Sequence, residues 1–279
     1  MNVVFVGRGK VARALHAKLS QTQHRSRLVA SRGRVPAIDG DVDLVVLCVR
    51  DDAIEAAARR LAERPLRAAV IHVAGAQGPE ALAPLTGRCA GVGRAHPLAS
   101  FASNRVHPDL CGVSWRVDGE RVAVSRARAL VLALGGVPRR WPGVTPAAYH
   151  AAAALVANGA AALAAAGRQV LVGAGAPPRD VDPALGALLR TVAENLVRLG
   201  LPRALTGPIR RGDAATVASH LRALERQPKE IKELYRACGV AQLGLARALG
   251  EARPGALAEV ARVLRAGGGV RPRRNPSKR

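Results

Sequence analysis

Aromatic side chains are nearly missing from this chain: its 279 residues include two Phe, two Tyr and two Trp. An interior built without them is packed mainly with Ala, Val and Leu. The scarcity also argues against single-strand nucleic-acid modules, which stack successive bases on aromatic faces. Cysteine is sparse as well. Cys48, Cys89, Cys111 and Cys238 stand far apart and form no CxxC pair, which removes the usual zinc and dithiol signatures and fits a reducing cytoplasm. The N-terminus opens directly into a strand-like run, without the basic and apolar leader of a secretory signal. Carboxylates number 20 against 43 lysines and arginines, a formal net charge of +23. Such a charge raises the question of nucleic-acid or anionic-membrane partners. Its distribution answers against them: Lys10, Lys18, Lys229, Lys232 and Lys278 are the only lysines, and arginine is scattered through every segment without forming a patch. With the abundance of alanine, this reads as a GC-rich coding bias. A membrane span is not expected either, because the most apolar stretch, His150 to Ala166, is mostly alanine, contains Asn158 and Gly159, and reads as a buried helix.

What is present falls into two patterns. The first part alternates short Val/Leu-rich runs with amphipathic stretches, the sequence form of βα units building a parallel sheet. Val3 to Val6, Arg27 to Ser31, Asp43 to Val49, Ala69 to Val73 and Gly91 to Ala95 are the strand candidates, with Val113 to Val117 extending the sheet. Lys10 to Leu19 is predicted as a helix on the spacing of Val11, Leu15 and Leu19, and Arg121 to Leu134 as another, stopped by Gly135-Gly136. Val137 to Gly143, with two prolines and a glycine, marks the boundary. Beyond it the period is helical throughout: 146 to 172, 182 to 199, 214 to 225, 228 to 249 and 255 to 266. Residues 267 to 279 are rich in Gly, Pro and Arg without an apolar pattern and are expected to form a disordered basic tail.

The most informative local motif is Val6-Gly7-Arg8-Gly9-Lys10-Val11-Ala12, a GxGxxA turn between a predicted strand and a predicted helix. Gly7 permits a tight turn, Gly9 lets backbone approach a pyrophosphate, and Ala12 allows the helix to pack closely on the sheet. The helix start then offers unpaired N–H groups and partial positive charge to the phosphates. Arg8, Lys10 and Val11 share that turn, and Val49, at the end of the third strand, borders the same crevice. This is the fingerprint of a Rossmann-like, doubly wound parallel sheet that binds a dinucleotide, here followed by an all-α domain. At the end of the second strand, where an Asp or Glu would bind the ribose 2′-hydroxyl of NAD, stand Ser31 and Arg32. A hydroxyl and a guanidinium suit the 2′-phosphate of NADP, with Arg34 as a second charge.

Farther along lie Val49-Arg50-Asp51-Asp52, His72-Val73-Ala74-Gly75, His96-Pro97-Leu98, Tyr149-His150-Ala151-Ala152 with Asn158, and Thr206-Gly207-Pro208-Ile209-Arg210-Arg211-Gly212-Asp213 with His220. The series resembles a family of NADP oxidoreductases that join a Rossmann-like domain to a helical C-terminal domain of unknown function, related to pyrroline-5-carboxylate reductases and 6-phosphogluconate dehydrogenase-type enzymes. The resemblance implies a Rossmann-like domain over 1–142, a helical substrate and dimerisation domain over 143–266, and a homodimer formed through the latter. Two positions depart from the family pattern: Ala74-Gly75 replaces a Ser-Gly pair, and Ala157 replaces the Ser that often precedes the helix asparagine.

Hydride transfer to C=O or C=N needs a proton source or electrophilic group opposite the nicotinamide, and histidine suits that task. His150 opens the first long helix after the boundary, Asn158 lies two turns on along the same broad face, and His96 follows the fifth strand, where open α/β sheets place ligands. These three are the candidate catalytic residues, His150 the preferred proton donor and Asn158 an orienting group. His72, inside a strand, reads as a core residue. Arg210 and Arg211 are candidates to clamp a substrate carboxylate, with Thr206 and Asp213 beside them, although Asp213 also suits a helix N-cap. The expected function is NADP-dependent reduction or oxidation of a small carbonyl, hydroxy-acid or imine substrate in the cytoplasm. Two other readings remain open at this point: a non-catalytic NADP-binding redox sensor, and a basic nucleic-acid-associated protein using Arg271-Pro272-Arg273-Arg274.

Overall fold

The computed structural model describes residues 1–31, 38 and 40–266. Arg32 and Arg34, and the tail at 267–279, lie outside the described residues. The chain divides into two compact units, Met1–Gly159 and Ala160–Arg279. Packing divides it inside a long helix, farther on than the composition change at 142/143.

The first unit is built on one seven-stranded sheet in the order β2-β1-β3-β4-β5-β6-β7. Its strands are β1 (Asn2–Val6), β2 (Arg25–Val29), β3 (Leu44–Leu47), β4 (Ala69–His72), β5 (Val92–Pro97), β6 (Ser114–Gly119) and β7 (Val137–Arg139). β1 to β5 run parallel. Consecutive apolar residues fill β3 and β4, all buried, as befits strands covered on both faces. One covering layer contains helices α1 (Lys10–Leu19) and α3 (Arg121–Ala133), whose Leu15, Leu19, Ala127 and Leu130 pack with Val3, Phe5 and Ile71. The other contains α2 (Ile54–Leu61) and a 3-10 segment at Pro79–Leu85, packed on Val4, Val6, Val45 and Val70.

Two features of this sheet depart from the simple parallel expectation. β6 pairs antiparallel with β5, with Arg94 opposite Asp118 and His96 opposite Arg116. A parallel return needs a long crossover, usually helical, and residues 98–113 contain no helix. β7 lies within the segment read as a domain boundary, where Pro138 is tolerated because the strand is at the sheet's edge.

Helices α4 (Pro146–Gly173), α5 (Pro178–Leu199), α6 (Pro208–Arg211), α7 (Ala214–Ala223), α8 (Lys229–Leu249) and α9 (Ala256–Arg265) follow. The core of the second unit gathers Ile209, Val217, Leu221, Leu243, Val260 and Leu264 from the last four. The first two behave differently. α4 was expected to be buried, and it is not: Tyr149 is its one buried residue, while Leu155 and Val156 are 77% and 71% exposed. An alanine-rich helix that is apolar all round needs a covering layer, and the described residues do not supply one. α4 is also long and apolar enough to cross a membrane by length and composition alone. On α5, Leu188, Val192, Leu196 and Leu199 fall on one stripe at helical spacing and are likewise exposed, and Val181 is its one buried residue.

Candidate functional site

The carboxyl ends of the parallel strands carry the predicted turn. Gly7 has φ +128°, and a Cβ on it would run into the Cys48 carbonyl, so the position requires glycine. Its N–H donates to Val29 O at 2.9 Å, while the Cys48 N–H donates to Val6 O at 2.9 Å. The turn is thus stitched to both neighbouring strands at the point where the strand order reverses, the place open α/β sheets bind ligands. Gly9 is the N-cap of α1 and makes no side-chain cap bond; a Cβ there would meet nothing within 4 Å. The first turn of α1 holds no acidic residue, Arg8 and Lys10 are exposed, and Ala12 is fully buried against the sheet. An open backbone approach, a bare helix start and flanking cations fit the pyrophosphate of a dinucleotide. Val11 and Val49 are half-buried beside this edge. Ser31 is half-buried at the end of β2, and its carbonyl accepts a 2.9 Å bond from Arg60 of α2.

On the same edge, a cavity of about 630 Å³ is lined by His96, His150 and Asn158 together with Tyr149, Trp141, Ser100 and mostly apolar residues. The three residues proposed for catalysis therefore share one cavity. What holds them was not anticipated. Arg94 and Asp118 form a bidentate pair at 2.9 and 2.6 Å, and Arg116 adds a 3.1 Å contact to the same carboxylate. Arg94 is 1% exposed. Its remaining guanidinium N–H groups donate to Gln77 O at 2.6 Å and Gly75 O at 3.4 Å, fixing the loop after β4. Arg116 donates to Val144 O and Thr145 O at 2.5 and 3.4 Å, fixing the entry to α4. Two buried arginines thereby hold the segments carrying Gly75 and His150 beside His96. Burial alone would raise the Asp118 pKa, but hydrogen bonds and charge from Arg94 and Arg116 outweigh it and hold the carboxyl below its ordinary value.

Tyr149 lies over this pair, its ring 5.0 Å from the Arg116 guanidinium. Its hydroxyl is 2.8 Å from His96 Nδ1 and 3.5 Å from His96 O. The two contacts tie the phenol to both the ring and the backbone of His96, and the sense of the shorter one follows the His96 tautomer. Burial pushes the His96 pKa down to about 4, reinforced by His150, Arg94, His72 and Arg116, and burial raises Tyr149 to about 12. Tyr149 thus keeps its proton and His96 stays neutral near pH 7. Gly75 completes the group: a Cβ built on it would lie 2.5 Å from His150 Nδ1 and 2.8 Å from His96 Nε2. His72 is a strand residue with both nitrogens engaged, by Gly78 O at 2.9 Å and Ala74 N–H at 3.2 Å, as its core reading implies.

The proposed carboxylate clamp belongs to the second unit and has local partners. Arg210 forks onto Glu251 with two 2.6 Å bonds and donates to Leu205 O at 2.7 Å. Asp213 caps α7 by accepting from the Thr216 N–H at 2.9 Å and hydroxyl at 2.6 Å. Arg211 and Thr206 are exposed. His220 Nδ1 is 2.9 Å from the Tyr235 hydroxyl. Sequence reasoning missed Arg94, Arg116 and Asp118 because arginine is common everywhere in the chain. The alternation Arg94-x-His96 on one strand and Arg116-x-Asp118 on the next was the available signal, since polar residues at period two within apolar strands share a face.

Residues 113–242 match a family model described as a domain of unknown function, DUF2520. No protein of curated record matches the chain. Among solved structures, a protein of Thermotoga maritima is 20% identical, covering 89% of this chain and 99% of its own, with a TM-score of 0.66. A Bacteroides fragilis protein provisionally named an NADP oxidoreductase is 18% identical over 86% of this chain and 97% of its own, also at 0.66. The 1-pyrroline-5-carboxylate reductase of Streptococcus pyogenes is 18% identical over 89% and 98%, at 0.57. The chain therefore has the fold of these proteins, a Rossmann-like sheet followed by helices, as its sequence led us to expect.

Proposed function

We propose that the protein is an NADP-dependent oxidoreductase acting on a small C=O or C=N substrate, or on the corresponding alcohol. The observation that carries this reading is the occurrence, on one edge of one sheet, of a pyrophosphate-accepting turn and a cavity into which His96, His150 and Asn158 converge. Gly7, Arg8, Gly9, Lys10, Val11 and Ala12 would hold the pyrophosphate end, with Ser31 and Val49 bordering the adenosine side. NADP is preferred over NAD because the sequence after β2 reads Ser31-Arg32 where NAD binding would call for a carboxylate, and the name given to the Bacteroides fragilis neighbour agrees. When bound, the reduced nicotinamide supplies a hydride. His150, exposed and lining the cavity, is the proton donor to the reacting group. Asn158 orients the amide of the cofactor or the substrate.

NADPH binding measured by fluorescence, together with steady NADPH oxidation on a carbonyl panel, tests this reading. His150→Ala is expected to keep binding and lose turnover by about 100-fold or more. Tight binding without turnover across the panel would favour the sensor reading instead.

We also propose a homodimer in which a second copy covers the exposed stripe of α4 and α5. An apolar stripe of this length on a helix pair is the usual mark of an interface. Light scattering should report a dimer, converted to monomer by Leu188→Lys with Val192→Lys.

A further inference from the structure

A guanidinium stands at the end of β2 without a carboxylate to neutralise it. Resting on the NADP reading above, we infer that this group, Arg60 of α2, recognises the 2′-phosphate of the dinucleotide from beside Ser31 and so sets the preference for NADP over NAD.

Local sequence explains both its position and its lack of a partner. α2 starts soon after β3, at the carboxyl edge of the sheet, and helical side chains lean toward the start of their helix. Arg60, in the last turn, is thereby aimed back toward that edge and donates from Nη2 to Ser31 O at 2.9 Å. Its neighbour Arg59 folds onto Glu55, four residues back. The equivalent positions for Arg60 are Ala56 and Ala57, so the preceding turn offers it no acid. Among the described residues it forms no ion pair, its Nε is buried without an acceptor, and the Ser31 carbonyl is its one hydrogen-bond partner.

A half-buried guanidinium without a counter-ion is unfavourable. Arg94 and Arg116, more deeply buried, meet the same condition by sharing Asp118. Arg236 is the informative parallel: it too has a buried, unpaired Nε and donates to a main-chain oxygen, that of Ala266. Ala266 closes α9, and the negative end of the helix dipole stands in for an acid. Ser31 follows a strand and brings no such dipole. The charge of Arg60 is therefore left for an anion that arrives from solution.

Its location selects the anion. The Gly7 N–H is bonded to Val29 O, two residues before Ser31, so the pyrophosphate turn and the end of β2 are tied together. In a sheet of this kind the residues ending the second strand meet the adenosine ribose. NADP carries its 2′-phosphate there, whose oxygens match the fork of a guanidinium, whereas NAD carries an uncharged hydroxyl.

The test uses adenosine 2′,5′-bisphosphate and adenosine 5′-monophosphate, which differ only in the 2′-phosphate, each titrated by calorimetry into the full-length, cofactor-free protein. Wild type is expected to prefer the bisphosphate. Arg60→Gln should weaken bisphosphate binding by about tenfold or more and leave monophosphate binding within about twofold. Arg60→Lys, which keeps the charge and loses the fork, should fall between the two. A brace acting only on the Ser31 carbonyl would move both nucleotides alike, so equal losses, or an undiminished preference in Arg60→Gln, overturn the inference. Should Arg60→Gln fail to fold, phenylglyoxal labelling of the wild type, mapped by mass spectrometry, decides: the bisphosphate should slow modification of Arg60 and the monophosphate should not, and equal labelling under both overturns the inference. Failure of the NADP reading shows separately, as a wild type that binds neither nucleotide or binds both equally.

Discussion

The molecule contains two histidine–tyrosine pairs of nearly the same geometry. His96 and Tyr149 meet through Nδ1 and the hydroxyl at 2.8 Å, their rings edge-on at 5.4 Å; His220 and Tyr235 meet the same way at 2.9 Å and 5.8 Å. The surroundings separate them. Tyr149 is buried over two guanidiniums and a shared carboxylate and borders a cavity of about 630 Å³. His220 is exposed, beside a small recess of about 170 Å³ formed with Pro208, Cys238 and Gln242. A hydrogen bond of good length becomes a chemical device only when its groups are dehydrated, charged neighbours fix their protonation, and a substrate-sized space adjoins them.

The comparison can be broken most forcefully beneath the first pair. Arg94→Met would leave Asp118 without its bidentate partner and untether the Gly75 loop; we expect a loss of about 3–5 kcal/mol in urea unfolding, the usual cost of breaking a buried ion pair from one side. Next in size, Tyr149→Phe removes the hydroxyl held 2.8 Å from His96 Nδ1 and should lower NADPH-dependent turnover on the carbonyl panel by about 100-fold, with binding of NADPH retained. A pH effect follows from His96. Its folded pKa, about 4, lies below the ordinary 6.5, so the unfolded chain binds more protons between those values. The stability this group confers is complete above the window, declines as pH falls through it and levels off below. Facing the ring are Tyr149 and His150 from α4, Arg94 from its own strand, Arg116 from β6 and His72 from β4. Melting curves of His96→Gln should fall less steeply than those of the wild type across that range. The smallest effect is none: Tyr235→Phe should leave turnover unchanged, and a drop matching that of Tyr149→Phe would erase the distinction.

How much of this was legible beforehand varies with range in the chain. The β1-turn-α1 unit was readable because its determinants are adjacent: glycine at 7 and 9, alanine at 12, and Val11, Leu15 and Leu19 in helical register. Helices α7, α8 and α9 were readable from period alone. The exposure of α4 was not, because an apolar pattern says that a face wants covering and leaves open which molecule covers it. Arg210 shows the same limit: its guanidinium is taken by Glu251, 41 residues away. His96, His150 and Asn158 were named from position along the chain, and one cavity holds all three. Tyr149 was passed over although it stands next to His150, because a lone tyrosine in a helix carries no spacing signal.

The antiparallel joint between β5 and β6 has a consequence for how the sequence tolerates changes in length. An extra residue in the exposed part of the connection, 104–106, enlarges a loop and leaves Arg94 facing Asp118. One extra residue between Ser114 and Arg116 is another matter, because side chains alternate along a strand: it would turn Arg116 and Asp118 to the opposite face of the sheet. Insertions a few positions apart would therefore have opposite outcomes, one merely lengthening a surface excursion and the other removing the ionic floor on which Tyr149 rests.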